Sequence, residues 1–326
     1  MLKDITVVLV YEDREEWISR TNSNKILSRF LATKEEINII YTEISKRFNV
    51  KLFEYPKNTY SEIYEFIDNN SNLIFWNLTD GFDIFIGSHI PSFATVLDKP
   101  YIGSSTYVQA LCQNKHHLKT IIREFGIKTP NWLYFDYEHK QETNFNKLKQ
   151  LNSPFFIKPA TLDNSIGTEY ITPFTDDITT IEQSIIQLFE KQITKVLVEE
   201  FVDGDEITVA CLHLDEWKII PLKQSYNGKY ISSYSKEGCE GHIYAQEYYN
   251  KSSIILLVER ILNILNIKDY CRMDFRFNKD ELSLLEINTG TFLTTRPFSK
   301  IADIFFQGDR SEMFYQLIKN SFKRQS

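Results

Sequence analysis

The sequence is poor in the features that mark zinc-bound, disulfide-bonded, nucleic-acid-binding or membrane-spanning proteins. Its 326 residues include only four cysteines, which are scattered without a C-x-x-C pair. This argues against a zinc site and a disulfide framework. Lys and Arg total 37 against 44 Asp and Glu, for a net charge of -7, and such a chain without a basic run is poorly matched to nucleic acid. No apolar stretch reaches the roughly 20 residues of a membrane span.

The N-terminal apolar run, residues 5–10, lacks the length and the small-residue cleavage site of a signal peptide and is better read as a buried first strand. The chain is therefore expected to be cytoplasmic, in a reducing compartment, with no nucleic-acid or membrane partner. Its composition is that of an ordinary globular protein, with 42% hydrophobic residues. A chain of this length suits two or three packed lobes.

Strand and helix patterns alternate over the first hundred residues, which predicts a small parallel α/β lobe. Beyond it, helical spacing predicts one helix over residues 107–125, stopped by Gly126. A short strand is predicted over residues 168–171 and a long polar loop over residues 226–245. The expected lobes are residues 1–105, 106–203 and 204–326.

Two carboxylates and an amide are predicted to converge on the last hairpin. Asp274 lies on one strand, and Glu286 and Asn288 share a face of its neighbour. Hard oxygen ligands without Cys or His suit Mg²⁺ held jointly with phosphates. Arg272 shares the face of Asp274, where a guanidinium can clamp an anion. The alternative is a hairpin with solvated charges.

Two further segments carry candidate phosphate and purine contacts. Lys158 ends an apolar strand and precedes a small polar turn that reaches Gly167, and such a turn can fold its N–H groups over phosphates. The alternative is a surface lysine beside an ordinary loop. The strand V-L-V-E-E-F, residues 196–201, and the acids after it can offer groups to a purine edge and a ribose. The alternative there is an edge strand with solvated acids.

In this order, the segments resemble the ATP-grasp superfamily and, within it, the D-alanine–D-alanine ligase-like branch. The resemblance rests on a helix lysine, Lys115, then Lys158, the small-residue loop, V-L-V-E-E-F, an acid after D-G-D, and D…E-x-N. It implies an α/β fold of three lobes. These are a parallel α/β N-terminal substrate lobe, a central ATP-grasp lobe and a C-terminal catalytic lobe, with ATP held between the two antiparallel-sheet lobes.

The resemblance also implies roles for individual residues, with ATP and Mg²⁺ as cofactors. Catalytic roles fall to Arg272 at the transferring phosphoryl group, Lys236 at the γ-phosphate and Ser165 in the closing loop. The implied Mg²⁺ ligands are Asp274, Glu286 and Asn288. The implied nucleotide contacts are Lys115 and Lys158 at the phosphates, Glu199, Glu200, Phe201 and Val202 at the adenine edge, Glu206 at the ribose and Tyr230 over the adenine.

The chain departs from the family pattern where the family meets its substrates. The family loop E-G-S-S-x-G is here L-D-N-S-I-G, residues 162–167, so its acid is missing. The family run T-x-P-G-M-T after E-x-N is here T-G-T-F-L-T, which loses the Pro-Gly pair. Arg296, after that run, is a candidate for the carboxylate of the amine substrate or a surface ion pair. Glu15 and Ser19 echo the family's N-terminal signature.

The predicted function is therefore an ATP-dependent ligase that forms an amide bond between a carboxylate and an amino-acid amine through an acyl-phosphate. The altered loops favour an amino acid or specialised metabolite over a plain cell-wall dipeptide. The alternatives are a D-alanine–D-alanine ligase proper, a small-molecule kinase and a nucleotide-binding pseudoenzyme of the same fold. The expected partners are small molecules. Relatives in the family are often homodimers, and the sequence leaves the oligomeric state of this chain open.

Overall fold

The computed structural model describes residues 4–21, 31–55, 60–79, 89–138, 145–162, 165–226, 229–230, 244–249, 251–279, 281–294 and 296–325. Their strands form three sheets, one parallel and two antiparallel. Among the described helices, none is long and apolar enough to cross a bilayer.

The parallel sheet comes first in the chain. Its strands are β1 (Thr6–Glu12), β2 (Asn49–Tyr55), β3 (Leu73–Leu78) and β4 (Tyr101–Ile102), accompanied by helices α1 (Arg14–Thr21), α2 (Lys34–Ser45), α3 (Tyr60–Asp68) and α4 (His89–Val96). The strand order is β2-β1-β3-β4. Residues 7–10 of β1 are fully buried, as expected of a parallel strand covered on both faces. The parallel α/β prediction is confirmed.

The second sheet is antiparallel, with strands β5 (Trp132–Asp136), β6 (Phe155–Pro159), β7 (Phe174–Thr175) and β8 (Lys195–Glu200) in the order β5-β8-β6-β7. Helices α5 (Thr106–Gln113) and α6 (Lys115–Glu124) precede it in the chain and share a core with the third sheet, and α7 (Ile178–Glu190) follows β7. Helix α7 covers the sheet with Ile181, Ile185 and Leu188, which are fully buried at helical spacing.

Two local predictions in this region are wrong. The single helix predicted over residues 107–125 is broken at Asn114, which ends α5 and whose side chain caps α6 by accepting from the His117 N–H. Residues 168–170 form a 3₁₀ turn instead of a strand, because the Thr168 hydroxyl donates to the Ser165 carbonyl at 2.6 Å. Gly167 enters this turn with φ of 91°, where a Cβ would lie 2.7 Å from Pro159 Cγ.

The third sheet is antiparallel and has the order β11-β10-β9-β12-β13. Its strands are β9 (Asp205–His213), β10 (Trp217–Tyr226), β11 (Tyr244–Tyr248), β12 (Tyr270–Asn278) and β13 (Glu281–Asn288), and its helices are α8 (Ser252–Leu265), α9 (Arg296–Phe306) and α10 (Arg310–Gln325). Gly204 precedes β9 with φ of 115°, and a Cβ there would overlap the carbonyl of Phe277. Most of the loop predicted over residues 226–245 lies outside the described residues.

The first and third sheets share one hydrophobic core, which is completed by α9 and α10. A buried polar contact joins the same parts of the chain. The Asp269 carboxylate accepts from the Gly103 N–H and from Arg324 Nη2, both at 2.7 Å. Trp76 on β3 also donates to the Tyr270 hydroxyl at 3.2 Å. The last helix therefore belongs structurally to the first sheet as much as to the third, and the predicted lobe boundaries stay predictions.

Replacing Arg324 with Met should destabilise the fold by about 1–3 kcal/mol, because it leaves a buried carboxylate without its charged donor. Asp269 is 3% exposed, and burial already raises the pKa of its carboxyl despite Arg324. Urea unfolding measures the change. The neighbouring exposed Lys323, exchanged for Met, is the matched control and should shift stability by no more than about 0.5 kcal/mol.

A double variant tests the cause of that loss. Adding Asp269→Asn to Arg324→Met should recover part of the stability, because the buried charge that lost its partner is gone. A double variant as unstable as the sum of the two single variants would contradict this explanation.

Candidate active site

A cleft lies between the second and third sheets. One wall is formed by residues of β6 and β8 together with Leu162, Ser165, Ile166 and Thr168, and the other by residues of β9, β12 and β13. Its empty volume is about 820 Å³, which includes space open to solvent. The described cleft wall includes many of the residues that the sequence singled out: Lys115, Lys158, Ser165, Glu199, Glu200, Phe201, Val202, Glu206, Tyr230, Asp274 and Glu286.

The β12–β13 hairpin brings opposite charges together at one end of this cleft. Asp274 pairs in register with Glu286, and Arg272 with Asn288, immediately before a bulge in the ladder. Arg272 Nε donates to Asp274 Oδ2 at 3.1 Å, and its Nη2 lies 3.8 Å from Glu286 Oε1. Thr208 on β9 donates its hydroxyl to the second oxygen of Asp274 at 2.6 Å. The two carboxylates are therefore oriented from both neighbouring strands.

The donor set at this end fits a hard divalent cation. Asp274 and Glu286 supply carboxylate oxygens, and Asn288, whose amide nitrogen donates to Glu286 Oε1 at 3.4 Å, supplies an amide oxygen. Carboxylate and amide oxygens are the ligands that Mg²⁺ accepts. Among the described residues, no three His, Cys, Asp or Glu side chains cluster as a metal site, so phosphate or water oxygens would have to complete the coordination.

Lys115 joins the first turn of α6 to this carboxylate end. Its side chain is 2% exposed, and Nζ lies 3.5 Å from Glu286 Oε2. Nζ also donates to the Leu162 carbonyl at 2.7 Å. Leu162 stands where the family loop begins with an acid. Here its carbonyl contacts the lysine, while its side chain belongs to the core of the second sheet.

A second group of charges lies farther along the cleft. Glu199 on β8 is 2% exposed and carries one lysine on each oxygen. Lys119 Nζ lies 3.0 Å from Oε1 and Lys158 Nζ 3.0 Å from Oε2. Burial alone would raise the pKa of Glu199, but the two ammonium groups, Lys119 first, outweigh it and lower the pKa. Burial lowers the pKa of Lys119 to about 8 against the opposing effect of Glu199.

The strand end after Glu199 offers main-chain groups to a ligand. The Glu200 carboxylate is occupied, because it accepts from Asn131 and from Asn152 at 2.8–2.9 Å. The N–H groups of Glu200 and Phe201 donate to the carbonyls of Asn131 and Pro154. A planar ligand would therefore meet Val202 as the next main-chain donor along the cleft wall.

Arg276, which was not among the predicted site residues, makes several contacts near Glu206 in the same part of the cleft. Arg276 Nη2 lies 3.1 Å from Glu206 Oε2, and Nη1 donates to the Gly204 carbonyl at 3.0 Å. Its guanidinium also lies over the Phe201 ring, at 5.2 Å. Tyr226 donates its hydroxyl to the same Glu206 oxygen at 3.3 Å, and burial with the nearby Glu206 raises its pKa to about 12.

The sequence did hold a signal for Arg276 and for Lys119, the second site residue that was missed. Arg276 follows Asp274 by two positions on one strand, and Lys119 follows Lys115 by four on one helix, so each shares a face with a predicted site residue. Their burial, at 5% and 0% exposure, separates them from ordinary surface cations.

The remaining predicted site residues fall in different places. Ser165 lines the cleft and adopts φ of 59°. Tyr230 lines it too and contacts Phe156 edge-on, with ring centroids 5.3 Å apart. Glu15 lies on α1, where its side chain is 86% exposed and 4.0 Å from Lys34, and it is not among the described residues that line the cleft. Lys236 lies outside the described residues.

Arg296 is the first residue of α9. One residue, Thr295, separates it from the T-G-T-F-L-T run, and its role toward a substrate carboxylate stays a prediction.

Glu199→Gln should destabilise the protein by about 3–5 kcal/mol near pH 7, because it leaves two buried ammonium groups without their counter-ion. The pKa of Glu199 is lower in the folded chain than its ordinary value of 4.5. Its stabilisation is therefore present above pH 4.5 and is lost as the pH falls through the folded pKa. The difference between wild type and variant, measured by urea unfolding, should shrink as the pH falls below 4.5.

Glu190→Gln, at an exposed glutamate that ends α7, is the matched control and should change stability by less than about 0.5 kcal/mol at each pH. A stability gap for Glu199→Gln that stays constant from pH 7 to acid would show that the lost contact is not an ionic one.

Known proteins resemble this chain in sequence and in fold. The D-alanine–D-alanine ligase of Aquifex aeolicus (strain VF5) is 32% identical over 199 residues, which cover 60% of this chain and 64% of the Aquifex enzyme. The chain thus matches less than two thirds of that relative's length. The crystal structure of D-alanine–D-alanine ligase from Bacillus anthracis complexed with ATP superimposes with a TM-score of 0.72 at 16% identity, covering 98% of both chains.

VanG D-Ala:D-Ser ligase from Enterococcus faecalis superimposes with a TM-score of 0.68 at 16% identity, over 98% of this chain and 99% of that one. These likenesses confirm the three-lobed ATP-grasp fold. The family model described as D-ala D-ala ligase C-terminus matches residues 121–306, more than half of the chain, and the chain therefore belongs to the D-alanine–D-alanine ligase family.

Proposed function

We propose that this protein is an ATP- and Mg²⁺-dependent ligase that joins the carboxylate of one amino-acid-like substrate to the amine of another through an acyl-phosphate. The observation that carries the proposal is a row of contacts at one end of the cleft, in which Lys115 lies 3.5 Å from Glu286, Glu286 lies 3.8 Å from Arg272, and Arg272 lies 3.1 Å from Asp274. Two cations and two anions on rigid elements are a set that nucleotide binding alone does not require. Phosphoryl transfer requires both signs.

The main physical obstacle to this chemistry is repulsion between a substrate carboxylate and the triphosphate. Lys115 and Lys158 would bind phosphate oxygens, and Arg272 would stabilise the oxygen charge that develops during transfer. Asp274, Glu286 and Asn288 would hold Mg²⁺, which when bound neutralises further charge on the phosphates. Each cation already has an anionic partner in the cleft wall, so binding would exchange partners and would not expose a bare charge.

The other end of the cleft is assigned to the nucleoside. The Val202 main chain would read the adenine edge, Phe156 and Tyr230 would flank the ring, and Glu206 would accept from ribose hydroxyls. Glu206 suits this role because it lines the cleft and because Arg276 and Tyr226 both contact its Oε2, which fixes the position of the carboxylate.

In the proposed reaction, a carboxylate oxygen attacks the γ-phosphorus and ADP leaves. The amine nitrogen of the second substrate then attacks the acyl carbon and expels phosphate. Water would destroy the acyl-phosphate, so the site must close during turnover. Ser165 and Lys236 are proposed to act in the closing segments.

The altered acceptor half favours substrates other than two D-alanines. Leu162 has no carboxylate to offer, and Thr291 and Phe292 replace the family's Pro-Gly pair. Glu15 and Arg296 are proposed contacts for the substrate amine and carboxylate. A D-alanine–D-alanine ligase proper is the second candidate, and the names of the sequence relatives favour it. VanG carries D-Ala:D-Ser in its name, which is consistent with acceptor changes on this fold.

The first experiment follows free phosphate and condensed mass together. The protein is incubated with ATP, Mg²⁺ and single amino acids, D-alanine first and then the other D- and L-forms in pairs. Phosphate release with a new mass equal to the two substrates minus water is the expected result. Condensation of D-alanine alone, with no other pair active, would favour the second candidate. A phosphorylated product without free phosphate would identify a kinase instead.

The carboxylate end has a matched pair of variants. Glu286→Gln should lower kcat by about 100-fold or more, because one ligand charge at the transferring phosphate is lost. Glu281→Gln lies on the same strand, where Glu281 is 67% exposed and pairs with Lys128, and should leave kcat within about twofold. Equal rates for both variants would remove Glu286 from the proposed mechanism.

A further inference from the structure

Three buried charges at the Lys158 end of the cleft do not balance. Glu199 is the only anion in direct contact with both Lys119 and Lys158 among the described residues, and each ammonium lies 3.0 Å from a different carboxylate oxygen. The side chains of Lys119 and Glu199 are 1% and 3% exposed, while that of Lys158 is 12% exposed and reaches the cleft. The group therefore carries one net positive charge, and Lys158 is its member most open to a ligand.

Lys119 is too deep to touch a ligand. It is 0% exposed, its Nζ donates to the Thr129 hydroxyl at 2.7 Å, and the Trp132 ring lies 5.8 Å away. Burying an ammonium in such a place is costly, and burial lowers its pKa to about 8. The salt bridge to Glu199 alone does not offset the free-energy cost of burying the Lys119 ammonium, because Glu199 also pairs with Lys158.

We propose that Lys119 is a positioning residue, which takes up the charge of Glu199 and so leaves the Lys158 ammonium able to bind a nucleotide phosphate. Without Lys119, the full charge of Glu199 would fall on Lys158. The pair would then be neutral, and a triphosphate would meet a carboxylate that no second cation offsets. This inference rests on the proposed function in one respect, that the cleft binds ATP with its phosphates near Lys158.

The competing explanation is structural, with Lys119 acting only as a salt bridge between α6 and β8. The two explanations differ in what a second substitution does. If Lys119 acts through the charge of Glu199, removing that charge as well should restore phosphate binding. If Lys119 only holds α6 in place, a second substitution in the same contact should restore nothing.

The experiment measures binding by calorimetry, with no turnover required, using Mg-ATP and adenosine as the two probes. Lys119→Met should weaken Mg-ATP binding by about tenfold or more, because it removes a unit charge from a weakly screened site. Adenosine binding should stay within about twofold, since adenosine carries no phosphate. Lys119→Arg, which keeps the charge, should bind Mg-ATP close to the wild-type affinity. The double variant Lys119→Met with Glu199→Gln should recover most of the Mg-ATP affinity that Lys119→Met loses.

Lys128→Met, at a lysine whose side chain is 56% exposed, is the matched control and should change neither affinity. Equal losses for Mg-ATP and adenosine in Lys119→Met would overturn the proposal, as would a double variant no better than the single one. If Lys119→Met fails to fold, the double variant and Lys119→Arg still decide, because weak Mg-ATP binding by either one contradicts it. Wild-type protein that binds Mg-ATP but forms no product would reject the proposed ligase and leave this inference standing.

Discussion

The cleft depends on ion pairs that hold its charged side chains in place before any ligand arrives. Arg272 holds Asp274, Lys115 lies beside Glu286, and Arg276 holds Glu206. An isolated charge in so buried a place would be expensive or would lose its ionisation. The pairs keep these groups charged and fixed in position, and a ligand of mixed charge can then replace one partner by another at little cost in reorganisation.

The frame around the cleft follows from how the sheets are joined. The first and third sheets share a core, and the buried Asp269 carboxylate connects the Gly103 main chain to Arg324 on the last helix. The second sheet shares its core with Trp17 of α1. The segment that leads into β5 is joined to β13 by the Leu284 N–H, which donates to the Lys128 carbonyl, and by the Thr129 hydroxyl, which donates to the Leu284 carbonyl.

Local patterns in the sequence were enough to predict part of this site. Alternation along two strands predicts that Arg272 and Asp274 share a face, because strand periodicity is fixed by backbone geometry, and their 3.1 Å contact agrees. The break at Asn114 and the 3₁₀ turn after Gly167 depend on a capping side chain and on Pro159 packing against the glycine. Lys119 and Arg276 each share a face with a predicted site residue, but their burial and their tertiary partners are what separate them from ordinary surface cations.

The residues that would meet the second substrate are harder to predict, because Leu162 stands where the family pattern has an acid. Leu162 packs in the core of the second sheet, and its carbonyl contacts Lys115. Because a carbonyl does not ionise, the hydrogen bond from Lys115 to Leu162 does not depend on the protonation state of the neighbouring carboxylates. With leucine at position 162, the loop of residues 162–167 has no acid where the family pattern begins with one. If the reaction needs a carboxylate to orient the amine, another element must supply it, and the substrate that fits will be set by that element.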